Sequence, residues 1–223
     1  MLIEQGLSCA VLSIDDLYLT RAERLELAER VHPLLVTRGP PGTHDVGLGL
    51  KGMAALAKPG ETRLPLFDKG ADDRAPLEDW PFVRTPVHCL IFEGWCVGAL
   101  PQPAAELAAP INALERDDDP EGVWRAYVNH QLSGPYQRLF APIDYLVQLR
   151  APAFEQVLAW RGQQEAELKA AGGGPAVMSQ AQLTRFIQHY ERISRWIDAE
   201  MPKRADAVVD LDADRNLKRL RLR

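Results

Sequence analysis

Two continuous apolar runs, each ending at an acidic residue, constrain the fold of this chain more than any other feature. Residues 9–14 read CAVLSI and are followed by Asp15 and Asp16, while residues 87–92 read VHCLIF and are followed by Glu93. Strands that are apolar throughout are typical of a parallel sheet with helices on both faces. In such sheets ligands bind at the carboxyl ends of the strands. We therefore expect both acidic sites at the edge where the chemistry takes place.

Longer amphipathic segments alternate with these runs and are expected to form helices. Thr20-x-x-Glu23 and Ser179-x-x-Gln182 are capping boxes, in which each side chain satisfies a free amide at a helix start. The first predicts a helix over 21–31, and the second begins a helix with apolar residues at helical spacing. The remaining predicted elements are helices over 45–57, capped by Asp45, and over 120–132, 153–171 and 215–223, and strands over 143–149 and 207–211.

Length and composition limit the class of protein. The 223 residues carry a formal net charge of 26 − 31 = −5 and predict one α/β domain over 1–223. Mild acidity is not the pattern of a nucleic-acid or anionic-membrane binder, and no apolar run approaches the ~20 residues of a membrane span. Three cysteines without a CxxC motif indicate reduced thiols. We expect a cytoplasmic protein without nucleic-acid or membrane partners, and the sequence does not indicate its oligomeric state.

The acids that follow the two strands are the first candidates for chemistry. A carboxylate such as Asp15 can accept a proton from a substrate hydroxyl or help to hold magnesium, or it can simply cap a turn. Glu93 ends an apolar strand in the manner of a Walker B element, whose carboxylate binds magnesium. On the residues alone both interpretations of Asp15 stay open.

Three further segments carry groups suited to an anionic ligand. The loop 37–45, TRGPPGTHD, contains Arg38 and His44, which can bind an anion. The charged segment 67–74, FDKGADDR, is typical of an exposed loop and is alternatively a substrate-binding segment. Arg161 either neutralises phosphate charge from a lid or pairs at the surface with a glutamate four residues later.

Taken together, several segments resemble the D-glycerate 3-kinase family of P-loop kinases, and more distantly uridine kinase, phosphoribulokinase and bacterial pantothenate kinase. The segments are SIDDLYLT, VHPLLVTRGPPGTHD, LPLFDKGADDRAP, FEGWCVGA, INALERDDDPEGVWRAYVN and residues 160–165, in order between about residues 7 and 217. The resemblance implies a three-layer P-loop NTPase-type fold, a parallel sheet with helices on both faces, and a lid at about 150–175. It also implies transfer of the γ-phosphoryl group of ATP, with Mg²⁺, to a hydroxyl of an anionic hydroxy acid, D-glycerate first.

The same resemblance implies a role for individual residues. Asp15 would orient or deprotonate the acceptor hydroxyl, and Glu93 would be the Walker B acid, with both near magnesium. Arg161 would act from the lid on the phosphates, and Arg161 and Asn216 would contact the nucleotide. The residues implied to bind the acceptor are Asp16, Tyr18, Arg38, His44, Asp45, Lys69 and Arg74.

One part of the family pattern does not occur. The 223 residues contain no G-x-x-x-x-G-K-[ST] phosphate loop, which the resemblance places before the S-x-D-D strand. We therefore expect the fold to lack its N-terminal strand and phosphate loop, through a misassigned start or a real loss, and the chain alone to bind ATP weakly or not at all. The alternatives are a kinase of pantothenate, a nucleoside or another sugar acid, and a non-catalytic protein that binds an anionic metabolite.

Overall fold

The computed structural model describes residues 6–170 and 178–223, so the predicted chain break at 172–175 lies outside the described residues. The α-helices are α1 Arg21–Arg30, α2 Val46–Leu56, α3 Ala113–Asp118, α4 Val123–Gln131, α5 Gln137–Phe140, α6 Phe154–Ala170 and α7 Gln180–Glu200. The strands are β1 Cys9–Ser13, β2 Gly60–Arg63, β3 Phe67–Asp68, β4 Asp73–Arg74, β5 Phe82–Thr85, β6 Cys89–Glu93, β7 Val147–Arg150, β8 Ala207–Leu211 and β9 Leu217–Leu222.

The chain divides into two compact units, of which the first contains the residues up to Pro103 together with Glu121–Pro142. Its centre is the parallel pair of β1 and β6, in register from Cys9 opposite Cys89 to Ser13 opposite Glu93. β2 pairs with β5, and β3 with β4, both antiparallel. The fully or almost fully buried apolar side chains of this unit include Leu12, Ile14, Leu17, Leu35, Leu132, Tyr136 and Leu139.

Local signals explain the helices beside this parallel pair. The Thr20 hydroxyl accepts a hydrogen bond from the Glu23 amide, and the Glu23 carboxylate accepts one from the Thr20 amide, so the predicted capping box starts α1. Asp45 caps α2 as predicted, by accepting a hydrogen bond from the Leu48 amide at 2.8 Å. Gly49 lies inside α2 because a Cβ there would meet the Leu17 side chain at 2.7 Å.

The second unit contains Ala104–Pro120 and Ile143–Arg223. β7 pairs in parallel with β8, and β8 pairs antiparallel with β9. The predicted capping box of Ser179 starts α7, which packs on α6 through an apolar cluster of Phe154, Leu183 and Ile187. A buried ion pair joins Arg192 of α7 to Glu115 of α3, with N···O distances of 2.7 and 2.6 Å.

Three predicted elements are corrected. The basic segment 215–223 forms the strand β9 rather than a helix, because the Asp212 carboxylate accepts hydrogen bonds from the amides of Asp214 and Asn216 and so reverses the chain after β8. The helix predicted over 120–132 begins at Val123, after Gly122 in a left-handed conformation (φ 76°), so Pro120 does not open it. The strand predicted over 143–149 covers only its second half and extends to residue 150.

The fold is mixed α/β, with parallel strand pairs and helices, as the apolar runs predict. A single domain over 1–223 with a lid at about 150–175 stays a prediction. Within residues 6–170 and 178–223, no helix combines the length and the apolar character that a bilayer crossing needs.

Candidate active site

The two acidic sites lie at one edge of the parallel pair. Ser13 ends β1 directly opposite Glu93, which ends β6. After Ser13 the chain forms a 3-10 turn over Ile14–Leu17, and the Ser13 hydroxyl caps it by accepting a hydrogen bond from the Asp15 amide at 3.3 Å. This turn holds Asp15 and Asp16 beside the end of β6, so the convergence expected from the sequence is present.

Asp15 is a carboxylate held in its ionised form. The Tyr18 hydroxyl donates a hydrogen bond to Oδ1 at 2.6 Å, and the Lys69 ammonium group lies 2.7 Å from Oδ2. Burial opposes ionisation, but the hydrogen bonds from Lys69 and Tyr18 outweigh it, so the pKa of Asp15 lies below its ordinary value. Asp15 is thus an acceptor of hydrogen bonds at neutral pH.

Asp16 and Glu93 form the other part of this edge. The Phe67 amide donates a hydrogen bond to Asp16 Oδ1 at 3.1 Å. Burial raises the pKa of Asp16, and the nearby negative charges of Asp15 and Glu93 raise it further. Glu93 itself is exposed, and in the described part of the chain no hydrogen bond or ion pair engages its carboxylate.

The carboxylates of Asp15, Asp16 and Glu93 can be compared with the ligands that Mg²⁺ prefers. Across residues 6–170 and 178–223, no group of three or more His, Cys, Asp and Glu side chains could by itself hold a metal ion. Mg²⁺ in kinases, however, is bound by one or two carboxylates together with phosphate oxygens and water. An exposed Glu93 next to Asp16 and Asp15 fits that pattern, whereas it would not fit a metal held by protein ligands alone.

His44, from the loop 37–45, packs against aromatic side chains close to Asp15. His44 pairs with Tyr18 in an isolated antiparallel bridge, and their rings stack with centroids 4.8 Å apart. Tyr136, from the π-helical turn after α4, contacts His44 Nδ1 through its hydroxyl and accepts a hydrogen bond from the Gly42 amide at 2.9 Å. The ring of Phe67 meets the ring of Tyr18 edge-on at 5.1 Å.

Each cation expected to bind the acceptor contacts a carboxylate of the protein. Lys69 contacts Asp15 as described, and Arg38 pairs with Asp72, which also pairs with the buried Arg24 at 2.9 Å. These two arginines outweigh the effect of burial and hold the pKa of Asp72 below its ordinary value.

The last of these cations, Arg74, lies 3.4 Å from Asp45 and donates a hydrogen bond to the Tyr18 carbonyl oxygen at 3.3 Å. The predicted acceptor-binding residues of this unit are therefore connected to one another by a network of ion pairs, hydrogen bonds and ring contacts.

The two residues expected to contact nucleotide lie in the second unit. Arg161, on α6, places its guanidinium group 5.8 Å from the centre of the Phe186 ring of α7. Asn216 belongs to the turn before β9, where its side chain donates a hydrogen bond to Asp212 at 3.4 Å. The alternative surface pair of Arg161 with Glu165 falls on a side chain outside the described ones. Their nucleotide contacts stay predictions.

Sequence reasoning missed three residues of the network: Arg24, Asp72 and Tyr136. Arg24 appears in the sequence as one more charge on an amphipathic helix, yet its side chain is 2% exposed. Tyr136 follows a Gly-Pro pair, which suggests a loop. An interaction across 92 residues, such as that of His44 with Tyr136, leaves no local signal in one sequence.

Comparison with known proteins identifies relatives of the chain. No protein-family model matches it. It is 37% identical over 190 residues to the uncharacterized kinase mug58 of Schizosaccharomyces pombe, covering 80% of this chain and 66% of that protein. It is 30% identical over 225 residues to the chloroplastic D-glycerate 3-kinase of Arabidopsis thaliana, covering 93% of this chain and 46% of that protein. The chain thus spans between about half and two thirds of the length of these relatives.

Solved structures that resemble this chain include a protein with the same name as one of these relatives. D-glycerate 3-kinase from Cryptococcus neoformans superposes with a TM-score of 0.81 and 27% identity, covering 100% of this chain and 82% of that one. The structure of the YGR205w protein superposes with a TM-score of 0.75 and 26% identity, covering 100% of this chain and 81% of that one. Phosphoribulokinase from Rhodobacter spheroides, at 12% identity and a TM-score of 0.51, shares the fold. The chain is thus a homologue of proteins named D-glycerate 3-kinase, and its structural neighbours are P-loop kinases.

Proposed function

We propose that this chain carries the acceptor site of an ATP-dependent kinase that phosphorylates a hydroxyl group of D-glycerate. One observation supports the proposal above all others. The Asp15 carboxylate, kept ionised by Lys69 and Tyr18, lies at the sheet edge that it shares with the exposed carboxylate of Glu93. A kinase needs these two groups side by side, one for the acceptor hydroxyl and one near the phosphates.

Asp15 would act on the acceptor hydroxyl. Its ionised carboxylate accepts a hydrogen bond from that hydroxyl and aims the oxygen at the γ-phosphorus. As the new O–P bond forms, the bond from the γ-phosphorus to the leaving oxygen of ADP breaks, and the hydroxyl proton passes to Asp15. Since phosphoryl transfer is mostly a matter of positioning and charge stabilisation, a carboxylate with a low pKa can serve this role.

Glu93, with Asp16 and Asp15 beside it, would hold Mg²⁺. When bound, Mg²⁺ supplies positive charge that stabilises the phosphate oxygens during transfer. Burial raises the pKa of Asp16, the negative charges of Asp15 and Glu93 add to this increase, and a cation among the three carboxylates would relieve their repulsion. The exposure of Glu93 leaves its oxygens accessible for this role.

The acidic nature of the acceptor is supported by the cations at the same edge. Lys69 lies next to Asp15 and is 59% exposed, so it can contact both Asp15 and an acceptor carboxylate. Arg74 approaches from β4 and reaches the Tyr18 carbonyl oxygen. Cations beside an ionised aspartate favour a small anionic hydroxy acid over a neutral nucleoside.

The test is an assay of ADP release by the full gene product that contains this chain, with D-glycerate, pantothenate, a nucleoside and a second sugar acid as acceptors. We expect turnover with D-glycerate, and a loss of at least ~100-fold in kcat for Asp15→Asn. The matched control is Asp79→Asn, which changes an exposed aspartate of the first unit and should keep the parent rate. Turnover of Asp15→Asn close to that of the parent would refute the role of Asp15, and a preference for another acceptor would refute D-glycerate.

A further inference from the structure

We propose that Tyr136 fixes the imidazole proton of His44 on Nε2, and that His44 donates this N–H to an oxygen of the acceptor bound beside Asp15. The second half of this inference rests on the proposed function, whereas the position of the proton does not. Tyr136 is thus a positioning residue, and His44 a specificity residue for the acceptor.

The hydrogen bonds of Tyr136 determine which way its proton points. The side chain is completely buried, and its oxygen accepts the Gly42 N–H at 2.9 Å. Burial raises the pKa of Tyr136 well above its ordinary value, so the hydroxyl keeps its proton and must donate it. In the described part of the chain, His44 Nδ1 is the acceptor within reach. If Nδ1 carried the proton instead, the buried Tyr136 O–H would have no acceptor.

The ring proton of His44 can then lie on only one of the two nitrogens. Burial lowers the pKa of His44 to about 3, so its imidazole is neutral at physiological pH. A neutral imidazole carries one proton, and the hydrogen bond made by one ring nitrogen decides which nitrogen holds it. With Nδ1 accepting from Tyr136, the proton lies on Nε2.

This Nε2–H is a buried donor without a partner in the protein. His44 is 5% exposed, and its Nε2 makes no hydrogen bond with any residue in 6–170 or 178–223. Nearly all buried polar groups in folded proteins have a partner, so the orphaned donor points to a ligand oxygen. The nearby Asp15 carboxylate makes no hydrogen bond with this Nε2, and its oxygens bind Tyr18 and Lys69 instead.

The position of the ring identifies that ligand. His44 stacks on Tyr18, whose hydroxyl binds Asp15, and the charge of Asp15 acts directly on the imidazole. An acceptor whose hydroxyl contacts Asp15 would therefore place a neighbouring oxygen near His44. The donor is neutral, so it selects a second hydroxyl or a carboxylate oxygen without adding charge to the site.

The proton position can be observed directly by ¹⁵N NMR of the full gene product labelled at histidine. We expect the His44 signals of an Nε2–H tautomer between pH 6 and 8, and a shift of Nε2 when D-glycerate is added without nucleotide. An Nδ1–H tautomer or a protonated ring would overturn the inference. A correct tautomer with no shift on saturation with D-glycerate would overturn donation to the acceptor, since the partner would then be water.

Variants supply an independent measurement. Tyr136→Phe should mix the tautomers of His44 and raise KM for D-glycerate about tenfold, the scale of one neutral hydrogen bond, with a smaller change in kcat. The exposed Tyr145→Phe is its control. If Tyr136→Phe fails to fold, His44→Gln, whose amide can replace the Nε2–H donor, should keep KM within about threefold, and His44→Asn should not. Equal KM values for these two variants would overturn the inference.

These outcomes separate the inference from the proposed function. Turnover of D-glycerate by a protein with the Nδ1–H tautomer would refute the inference and leave the kinase assignment intact. The Nε2–H tautomer in a protein that phosphorylates none of the acceptors would refute the proposed function and leave the Tyr136–His44 arrangement standing.

Discussion

Gly94 directly follows Glu93 at the end of β6, in a backbone conformation that side chains rarely adopt. Its φ is 153°, and a Cβ built there would lie 2.2 Å from Cγ2 and 3.0 Å from Cβ of Ile14. Ile14 is completely buried, so it cannot move aside without disturbing the 3-10 turn that carries Asp15. We therefore expect Gly94→Ala to damage stability and the site together.

The expected loss of stability has two parts. Forcing a non-glycine residue into a sparsely populated backbone conformation costs about 1–3 kcal/mol. Inserting a methyl group into a packed interior costs a further ~1–3 kcal/mol. Together they predict a decrease of about 2–6 kcal/mol in the free energy of unfolding. With an m-value of ~2 kcal/mol/M, a decrease of about 4 kcal/mol lowers the urea midpoint by about 2 M.

Urea denaturation followed by circular dichroism measures this effect. Gly134→Ala is the matched control, because no atom lies within 4 Å of a Cβ built there and the residue is helical. The control should unfold at the parent midpoint or slightly above it. Ile14→Ala removes Cγ2 and with it the clash. The double variant of Gly94→Ala and Ile14→Ala should therefore lose ~1–2 kcal/mol less free energy of unfolding than the two single variants lose in sum. A Gly94→Ala midpoint equal to that of the control would refute the reasoning.

Two further predictions concern buried charge. Glu115→Gln should lower the free energy of unfolding by ~3–5 kcal/mol in urea, because Arg192 is then left with an uncompensated buried charge; a loss under 1 kcal/mol would contradict this. Burial lowers the pKa of His44 to about 3 and of His189 to about 4, below the 6.5 of an unfolded histidine. The unfolded chain therefore binds more protons below pH 6.5, so stability falls by about 1 kcal/mol per histidine between pH 7 and 5.5. His189→Gln should halve that dependence, and a stability that does not change with pH would contradict this prediction.

Features determined by neighbouring residues could be predicted from the sequence. The two capping boxes start α1 and α7 as predicted, and the apolar runs become the parallel strands β1 and β6. Acids directly after such strands must lie at one edge whenever the strands are neighbours in the sheet. The sequence therefore predicts that Asp15 and Glu93 lie close together.

Features that depend on distant residues could not be predicted. The sequence predicts that Arg38 binds an anion but gives no sign of its ion pair with Asp72, which joins positions 34 residues apart. Leucines among basic residues fit a helix as well as a strand, so the sequence of 215–223 predicts a helix where the structure has β9. Its partner β8 and the turn at Asp212 decide the outcome. Periodicity describes one segment, whereas pairing is a property of two.

A double-mutant cycle on kcat tests most directly whether Asp15 and Glu93 act in one site. In the full gene product, Asp15→Asn and Glu93→Gln should each lower kcat for D-glycerate by at least ~100-fold. Groups that act as a unit are far from additive, so the double variant should fall little further than the worse single variant. A double variant that loses the full product of the two factors, or a single variant with the parent kcat, would contradict a shared site.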